Sequence, residues 1–178
     1  HGALELGVHE LRDGIVSRGV LLDVPRLRGL DWLEPGDPIH PEELEAAERN
    51  ASLRVEAGDL LLVRTGRWAY RRAHGAWDPH ERLAGLHASC LPWLHERRVA
   101  ALGSDAVSDV VPSGVEGHRL PIHGIAIPIL GLHLLDNLDL EGLGRACPEE
   151  GRWEFLLTIA PLVIERGTAS PVNPIALF

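Results

Sequence analysis

The chain has 178 residues, of which 45% are hydrophobic, and this is enough for one domain with a buried core. Its net charge of -9 at pH 7 argues against a nucleic-acid-binding surface, because phosphate contacts need clustered cations. No segment approaches the ~20 consecutive apolar residues of a membrane span, and the first ten residues are too polar for a signal peptide. We therefore expect neither a nucleic-acid partner nor a membrane partner.

Three residue types bear on the origin and the compartment of the protein. All 17 basic residues are arginine, which is the usage expected of a GC-rich bacterial genome. Cys90 and Cys147 have the spacing of neither a disulfide framework nor a metal knuckle, so we expect reduced thiols and a cytoplasmic protein. Methionine is absent even from position 1, and the sequence opens abruptly. We expect residues 1–178 to be the C-terminal portion of a longer chain, forming one domain that is incomplete at its N-terminus.

The hydrophobic pattern predicts strands that alternate with helices. Pro41 suits the first turn of a helix, and the acidic residues after it favour the positive end of the helix dipole. Pro128 should kink the helix that contains it. The predicted strands are 18–30, 58–66, 99–105, 132–136 and 152–165. The predicted helices are 41–50, 86–98, 120–131 and 137–147. Residues 67–85 are predicted to form a short helical turn and a charged loop. Such alternation indicates an α/β domain with a largely buried sheet.

Polar residues follow three of the predicted strands. Arg64 and Thr65 end one strand, Asp105 ends another, and Asp136 with Asn137 ends a third. Because α/β folds bind ligands beyond the carboxyl ends of their strands, we predict substrate contacts for Arg64, Thr65 and Asp105. The alternative is that these residues only form turns, which favour aspartate and asparagine.

The segment HRLPIHGIAIPILGLHLLDNLDLEGL, residues 118–143, contains the strongest single candidate for chemistry. His123 lies inside its apolar helix pattern, where a histidine must find a polar partner or lose its charge. A structural histidine and a catalytic histidine both satisfy that requirement. Familiar motifs do not decide between them, because the sequence has no HExxH zinc helix, no GxSxG elbow and no glycine-rich phosphate loop.

Five segments, in order, resemble the cyclase family of metal-dependent hydrolases, which includes kynurenine formamidase and isatin hydrolase. They cover nearly the whole chain. They are DGIVSRGVLLDVPRLRG with WLEPGDPI, GDLLLVRTGRW, LPWLHERRVAALGSDAVSDVVPS, LPIHGIAIPILGLHLLDNLDLEGL, and WEFLLTIAPLVIERGTASPVNPIALF. The resemblance implies a swivelling β/β/α fold, a homodimer or higher homo-oligomer, and hydrolysis of a small-molecule amide or lactam with zinc or manganese.

The resemblance also implies roles for two residues. Family members carry an early metal-binding motif similar to HxGTHxDxPxH, which has no counterpart in this sequence, so we expect the main metal ligands to precede His1. The family's later histidine and carboxylate match His123, as a metal ligand and catalytic residue, and Asp136, as a metal ligand, although many members have glutamate at that position. We expect residues 1–178 to be inactive alone. A non-catalytic binding or scaffold domain on the same fold is the alternative.

Overall fold

The computed structural model describes residues 2, 3, 5 and 7–178. The strands are β1 (Ile15–Asp23), β2 (Pro38–Ile39), β3 (Leu60–Arg64), β4 (Gly85–Leu86), β5 (Ala101–Ser104), β6 (His133–Leu135), β7 (Glu154–Ile159) and β8 (Ile175–Leu177). The helices are α1 (Val24–Leu27), α2 (Pro41–Asn50), α3 (Arg67–His74), α4 (Cys90–Arg97), α5 (Pro121–Ala126) and α6 (Glu141–Glu150), and a 3-10 turn precedes β1 at Val8–Leu11.

Six of these strands form one sheet in the order β6-β5-β3-β1-β7-β8. The first four are parallel to one another, whereas β7 pairs antiparallel with β1 and β8 pairs antiparallel with β7. The predicted α/β class is therefore confirmed, and its sheet is mainly parallel. Strands β2 and β4 form a separate two-stranded parallel sheet.

The central strands of the sheet are buried on both faces, which explains why they have continuous apolar sequences. Along β1, Leu22 packs into the cluster that contains Leu44 and Ile122, while its neighbour Leu21 packs on the opposite face with Leu157. All five side chains are almost completely buried. Each contributes about 2 kcal/mol of apolar burial to the free energy of folding, so the sheet is a rigid support for the loops at its edge.

Several predicted boundaries are wrong for local reasons. The first strand ends at Asp23, because the Asp23 carboxylate accepts a hydrogen bond from the Arg26 amide and starts α1. Regular helix ends at Ala126 and does not continue with a kink, since Pro128 has no N–H for the next helical bond. Strand β7 ends at Ile159, two residues before Pro161. The strands β2, β4 and β8 and the antiparallel direction of β7 are missed by the sequence pattern.

The described helices are short, at ten residues or fewer. None of them reaches the length and apolar character needed to cross a bilayer.

Candidate functional site

The carboxyl ends of the parallel strands meet at one edge of the sheet, and the candidate residues follow these ends. Arg64 ends β3, Asp105 follows β5, and Asp136 follows β6. His123 comes from α5, which packs in the connection between β5 and β6. The predicted residues therefore belong to one edge, but their contacts divide them into two groups.

His123 is held by Asp109, a residue that follows β5. The fully buried Asp109 carboxylate accepts hydrogen bonds from the Ile122 amide at 2.6 Å and from the His123 amide at 3.2 Å. These are two of the N-terminal amides of α5 that have no partner inside the helix. Asp109 also contacts the His123 ring, with 2.7 Å between Oδ2 and Nδ1. One carboxylate thus fixes both the helix and the imidazole.

The other side of the His123 ring faces Asp136. The His123 Nε2 lies 3.1 Å from Asp136 Oδ2, so the imidazole bridges two carboxylates. The His123 side chain is 25% exposed and that of Asp136 is 31% exposed. The structure brings the predicted pair together at a partly open position.

The two carboxylates stabilise the protonated imidazole. Hydrogen bonding to Asp109, followed by hydrogen bonding to Asp136, raises the pKa of His123 to about 9, although burial acts in the opposite direction. Without a metal ion, His123 is therefore an imidazolium at neutral pH and donates from both ring nitrogens.

A cavity of about 820 Å³ opens beside this pair. His123, Asp136 and Asn137 contribute polar groups to its wall, and leucine and isoleucine side chains from β6, from β7 and from the segments that flank β6 supply much of the rest. A mostly apolar pocket with a few convergent polar groups is the usual form of a small-molecule site.

Asp109 is the residue of this site that the sequence did not single out. It lies in SDVVPS, where an aspartate directly precedes two valines, and this apolar setting is the signal that could have identified a buried acid. The spacing gives no further hint, because Asp109 and His123 are separated by 14 positions in the sequence, most of them in a loop.

Thr65 and Asp105 form the second group, which is buried. Asp105 Oδ1 accepts hydrogen bonds from the Thr65 amide and hydroxyl, and its Oδ2 accepts hydrogen bonds from the amides of Gly66 and Arg67. Asp105 is fully buried and Thr65 is 2% exposed. These contacts tie the turn between β3 and α3 to the end of β5. Substrate contact by either residue stays a prediction.

Arg64 lies in a buried ion-pair cluster. Its guanidinium contacts Asp23 at 3.0 Å and Glu141 at 3.0 Å, and Arg72 adds a second cation on Glu141. The Arg64 side chain is 11% exposed. The cluster joins the ends of β1 and β3 to α6, so an anionic ligand would have to compete with two internal carboxylates. Substrate contact by Arg64 also stays a prediction.

The pair His123 and Asp136 fits two ligand positions of a divalent metal ion. At the tetrahedral angle, two atoms that both lie 2.0–2.2 Å from one zinc ion are about 3.3–3.6 Å apart, so the observed separation of 3.1 Å between Nε2 and Oδ2 would need only a small adjustment. Asp109 accepts from Nδ1, which is the contact that leaves Nε2 free for a metal. Within residues 2, 3, 5 and 7–178, however, no group of three or more histidine, cysteine, aspartate or glutamate side chains could hold an ion.

The mainly parallel sheet and the histidine between two carboxylates at its edge define an α/β protein with a candidate metal-ligand pair. Residues 2–109 match the model of the cyclase family. The chain belongs to this family, as the resemblance of its motifs predicts.

Solved structures support the assignment of the fold. A crystal structure described as a novel cyclase is 30% identical, with a TM-score of 0.84 over 97% of this chain. An isatin hydrolase bound to the product analogue thioisatinate is 20% identical, with a TM-score of 0.69 over 90% of this chain. A predicted metal-dependent hydrolase from Bacillus stearothermophilus is 20% identical, with a TM-score of 0.61 over 92% of this chain.

The chain spans 57%, 59% and 64% of the lengths of these three proteins, respectively. A search of curated proteins finds no significant match.

Proposed function

We propose that this chain is part of a metal-dependent hydrolase that acts on an amide or lactam bond of a small molecule. The observation that carries the proposal is the bridge in which His123 joins the buried Asp109 to Asp136 beside a cavity of about 820 Å³. Membership of the cyclase family supports it, as does the similarity in fold to an isatin hydrolase.

The three residues have different roles in this proposal. Asp109 is buried and acts through the imidazole, whose orientation and Nδ1 proton it fixes. His123 and Asp136 face the cavity and present Nε2 and a carboxylate oxygen to the ligand. The pair holds the metal ion, and His123 is also able to carry a proton at Nε2 when that atom is not coordinated.

We propose zinc or manganese as the ion. When bound, a divalent cation supplies Lewis acidity that polarises a carbonyl group and lowers the pKa of water. Two ligands make an incomplete site, so the remaining ligands would have to come from outside the described residues. Residues 1–178 alone should therefore bind the metal weakly and hydrolyse amides negligibly.

A non-catalytic binding domain on the same fold is the second candidate. The observation that favours it is the saturation of the polar groups at the sheet edge, where Asp105 accepts four hydrogen bonds and both nitrogens of His123 contact carboxylates. If the chain is such a binding domain, the Asp109–His123–Asp136 bridge has only the structural role of joining α5 to the end of β6.

Metal titration separates the two candidates. Calorimetry with Zn²⁺ and Mn²⁺ should detect weak binding to the wild-type chain and at least tenfold weaker binding to His123→Ala. The matched control is His118→Ala, which removes an exposed histidine outside this cavity. Equal metal affinity in the two variants would favour the binding domain. Because residues 1–178 alone should be inactive, hydrolysis of isatin and of an N-formyl arylamine is to be assayed with a longer chain that supplies the remaining metal ligands.

We also propose a homo-oligomer. The outer face of the sheet near β8 exposes Val16, Leu156, Ile175 and Leu177 at 63%, 45%, 51% and 54%, respectively. Exposed apolar side chains on the edge strand β8 and on the strands beside it favour association with a second copy. Analytical ultracentrifugation at several concentrations tests this, and a monomer throughout would contradict it.

A further inference from the structure

A second cavity, of about 790 Å³, lies at the carboxyl ends of β1 and β3, and we call it the arginine cavity. Asp23, which ends β1, and Arg64, which ends β3, belong to its wall. Helix α6 contributes Leu143 to the cavity beside His123 and Gly144 to the arginine cavity. The two cavities share none of their described lining residues, so the arginine cavity is not part of the proposed metal site.

The wall of the arginine cavity is positively charged. Four arginines and three acidic residues line it, whereas the whole chain has 26 acidic residues and only 17 basic ones. The arginines come from four different elements and are Arg26 of α1, Arg64 of β3, Arg72 of α3 and Arg145 of α6. A cleft with an excess of one charge concentrates ligands of the opposite charge. The lining therefore favours an anion.

Ion pairs arrange three of the arginines in a row with two buried carboxylates. Arg64 is at the centre, with Asp23 at 3.0 Å and Glu141 at 3.0 Å. Arg26 approaches Asp23 at 3.7 Å, and Arg72 approaches Glu141 at 3.0 Å. Each carboxylate is thus shared between two guanidinium groups, and the row begins and ends with a cation.

The outer arginines keep N–H donors that these contacts do not use. The side chains of Arg26 and Arg72 are 45% and 58% exposed, whereas that of Arg64 is 11% exposed. The contact of Arg26 with its carboxylate is longer than a hydrogen bond. Arg145 is exposed and has no ion pair within residues 2, 3, 5 and 7–178. Because a guanidinium has five N–H donors, these three arginines can still bind a ligand.

We propose that Arg26, Arg72 and Arg145 bind the phosphoryl group of a small phosphate monoester in the arginine cavity. A phosphate monoester carries about −1.5 to −2 charges at pH 7 and three acceptor oxygens, which suits several guanidinium groups better than a singly charged carboxylate does. Arg64 is a positioning residue, because it holds the two carboxylates that orient Arg26 and Arg72.

The apolar part of the wall argues for an organic phosphate over free phosphate. Leu30 and Trp32 line the arginine cavity, and Leu30 is 50% exposed. Apolar side chains beside a few polar groups are typical of sites for small organic molecules. The organic group of the monoester would contact these two residues.

Titrations of metal-free protein at low ionic strength, followed by NMR, test the inference. Phenyl phosphate is the monoester probe, inorganic phosphate lacks the ring, and phenol lacks the charge. The wild-type protein should bind phenyl phosphate more tightly than inorganic phosphate and should bind phenol least. Arg72→Gln and Arg145→Gln should each weaken phenyl phosphate binding at least about fivefold. Equal binding of the two anions would contradict the organic ligand and assign the cavity to free phosphate.

Arg71→Gln is the matched control. Arg71 is exposed, lies beside Arg72 on α3 and is absent from the wall of the arginine cavity. Its substitution removes the same charge and should leave phenyl phosphate affinity within about twofold of wild type. An equal loss in Arg71→Gln, Arg72→Gln and Arg145→Gln would reveal non-specific attraction and overturn the site, as would unchanged affinity in all three.

Folding and the proposed metal site are controlled separately. Arg145→Gln should melt at the wild-type temperature, because Arg145 is exposed and outside the ion-pair row, so this variant tests binding even if Arg72→Gln is unstable. His123→Ala should bind phenyl phosphate as tightly as wild type. Failure of the metal titration therefore leaves this inference standing, and loss of phenyl phosphate binding in His123→Ala would place the anion in the other cavity.

Discussion

The Asp109 carboxylate contacts the His123 imidazole at 2.7 Å between Oδ2 and Nδ1, which is the shorter of the two carboxylate contacts of this ring. Asp109 is completely buried, whereas a quarter of the His123 side chain is exposed. A buried carboxylate that orients a partly exposed histidine is the arrangement found behind many metal-binding and proton-transferring imidazoles.

Replacing Asp109 with asparagine tests that relationship. Asp109→Asn keeps the size of the side chain but removes the charge that fixes the Nδ1 proton of His123. Metal affinity should fall about 10–100-fold, because partners behind a ligating histidine contribute that much. The measurement is metal titration together with a thermal melt. Unchanged affinity in a folded Asp109→Asn protein would show that the contact only anchors α5.

Substitutions of Asp136 test whether metal affinity depends on the charge of this side chain and on its length. Asp136→Asn should weaken metal binding about 10–100-fold, because it removes a negative charge next to the ion. Asp136→Glu keeps the negative charge on a longer side chain, and it should retain the affinity. Metal content measured on the same preparations distinguishes these effects, and equal metal loading of wild type and Asp136→Asn would exclude Asp136 as a ligand.

The pH dependence of stability follows from the raised pKa of His123 in the metal-free protein. Hydrogen bonds to Asp109 and then to Asp136 raise this pKa to about 9, above the ordinary value of 6.5 expected in the unfolded chain. The folded state therefore binds the proton more tightly. The stabilisation is fully present below pH ~6.5 and is lost as the pH rises through about 9.

Denaturant unfolding at pH 6 and pH 9.5 measures this change. His123→Ala should lose less stability than wild type between the two pH values, because it lacks the titrating group. An equal loss in both proteins would contradict the assigned pKa.

Asp105→Ala should destabilise the protein strongly whether or not the chain is an enzyme. The substitution leaves the amides of Thr65, Gly66 and Arg67 without their acceptor in a buried turn. Each orphaned donor costs about 1–3 kcal/mol, so the free energy of unfolding should fall by at least ~3 kcal/mol. Chemical denaturation gives the value. A loss of less than 1 kcal/mol would favour the predicted substrate role over a structural one.

Both cysteines should be unreactive in the folded protein. Burial, followed by nearby acidic groups, raises the pKa of Cys90 and that of Cys147 to about 12. The thiolate is the reactive form, so iodoacetamide at pH 8 should modify neither residue in native protein and both after denaturation. Mass spectrometry counts the modified thiols, and rapid native labelling would show that one of the helices α4 and α6 opens readily.

The sequence predicts the order of the main strands and helices and the proximity of His123 to Asp136. It predicts the residues that surround this pair less accurately. Continuous apolar runs such as LLLVR identify buried parallel strands because both faces of the sheet are covered. The short strand β8 escapes prediction, since three residues, two of them exposed, carry too little pattern.

The contacts that define the site depend on distances that sequence spacing does not reveal. Asp105 and Asp109 are both aspartates that follow β5, so the sequence alone does not distinguish their roles. One folds back onto α5 and the other onto the turn before α3 because of the tertiary packing of those helices. Sequence reasoning selected Asp105 as the ligand-binding residue, whereas the structure places Asp109 against the imidazole.

Three residues separate Asp105 from Asp109, and this short interval determines which changes of length the protein can tolerate. One end of the interval is tied to the turn after β3 and the other end to the first turn of α5. Inserting or deleting a single residue between them would break one of the two attachments. Chain length in homologous proteins should therefore vary in the glycine-containing loop at 114–117, which is mostly exposed and outside both attachments, and stay constant between the two aspartates.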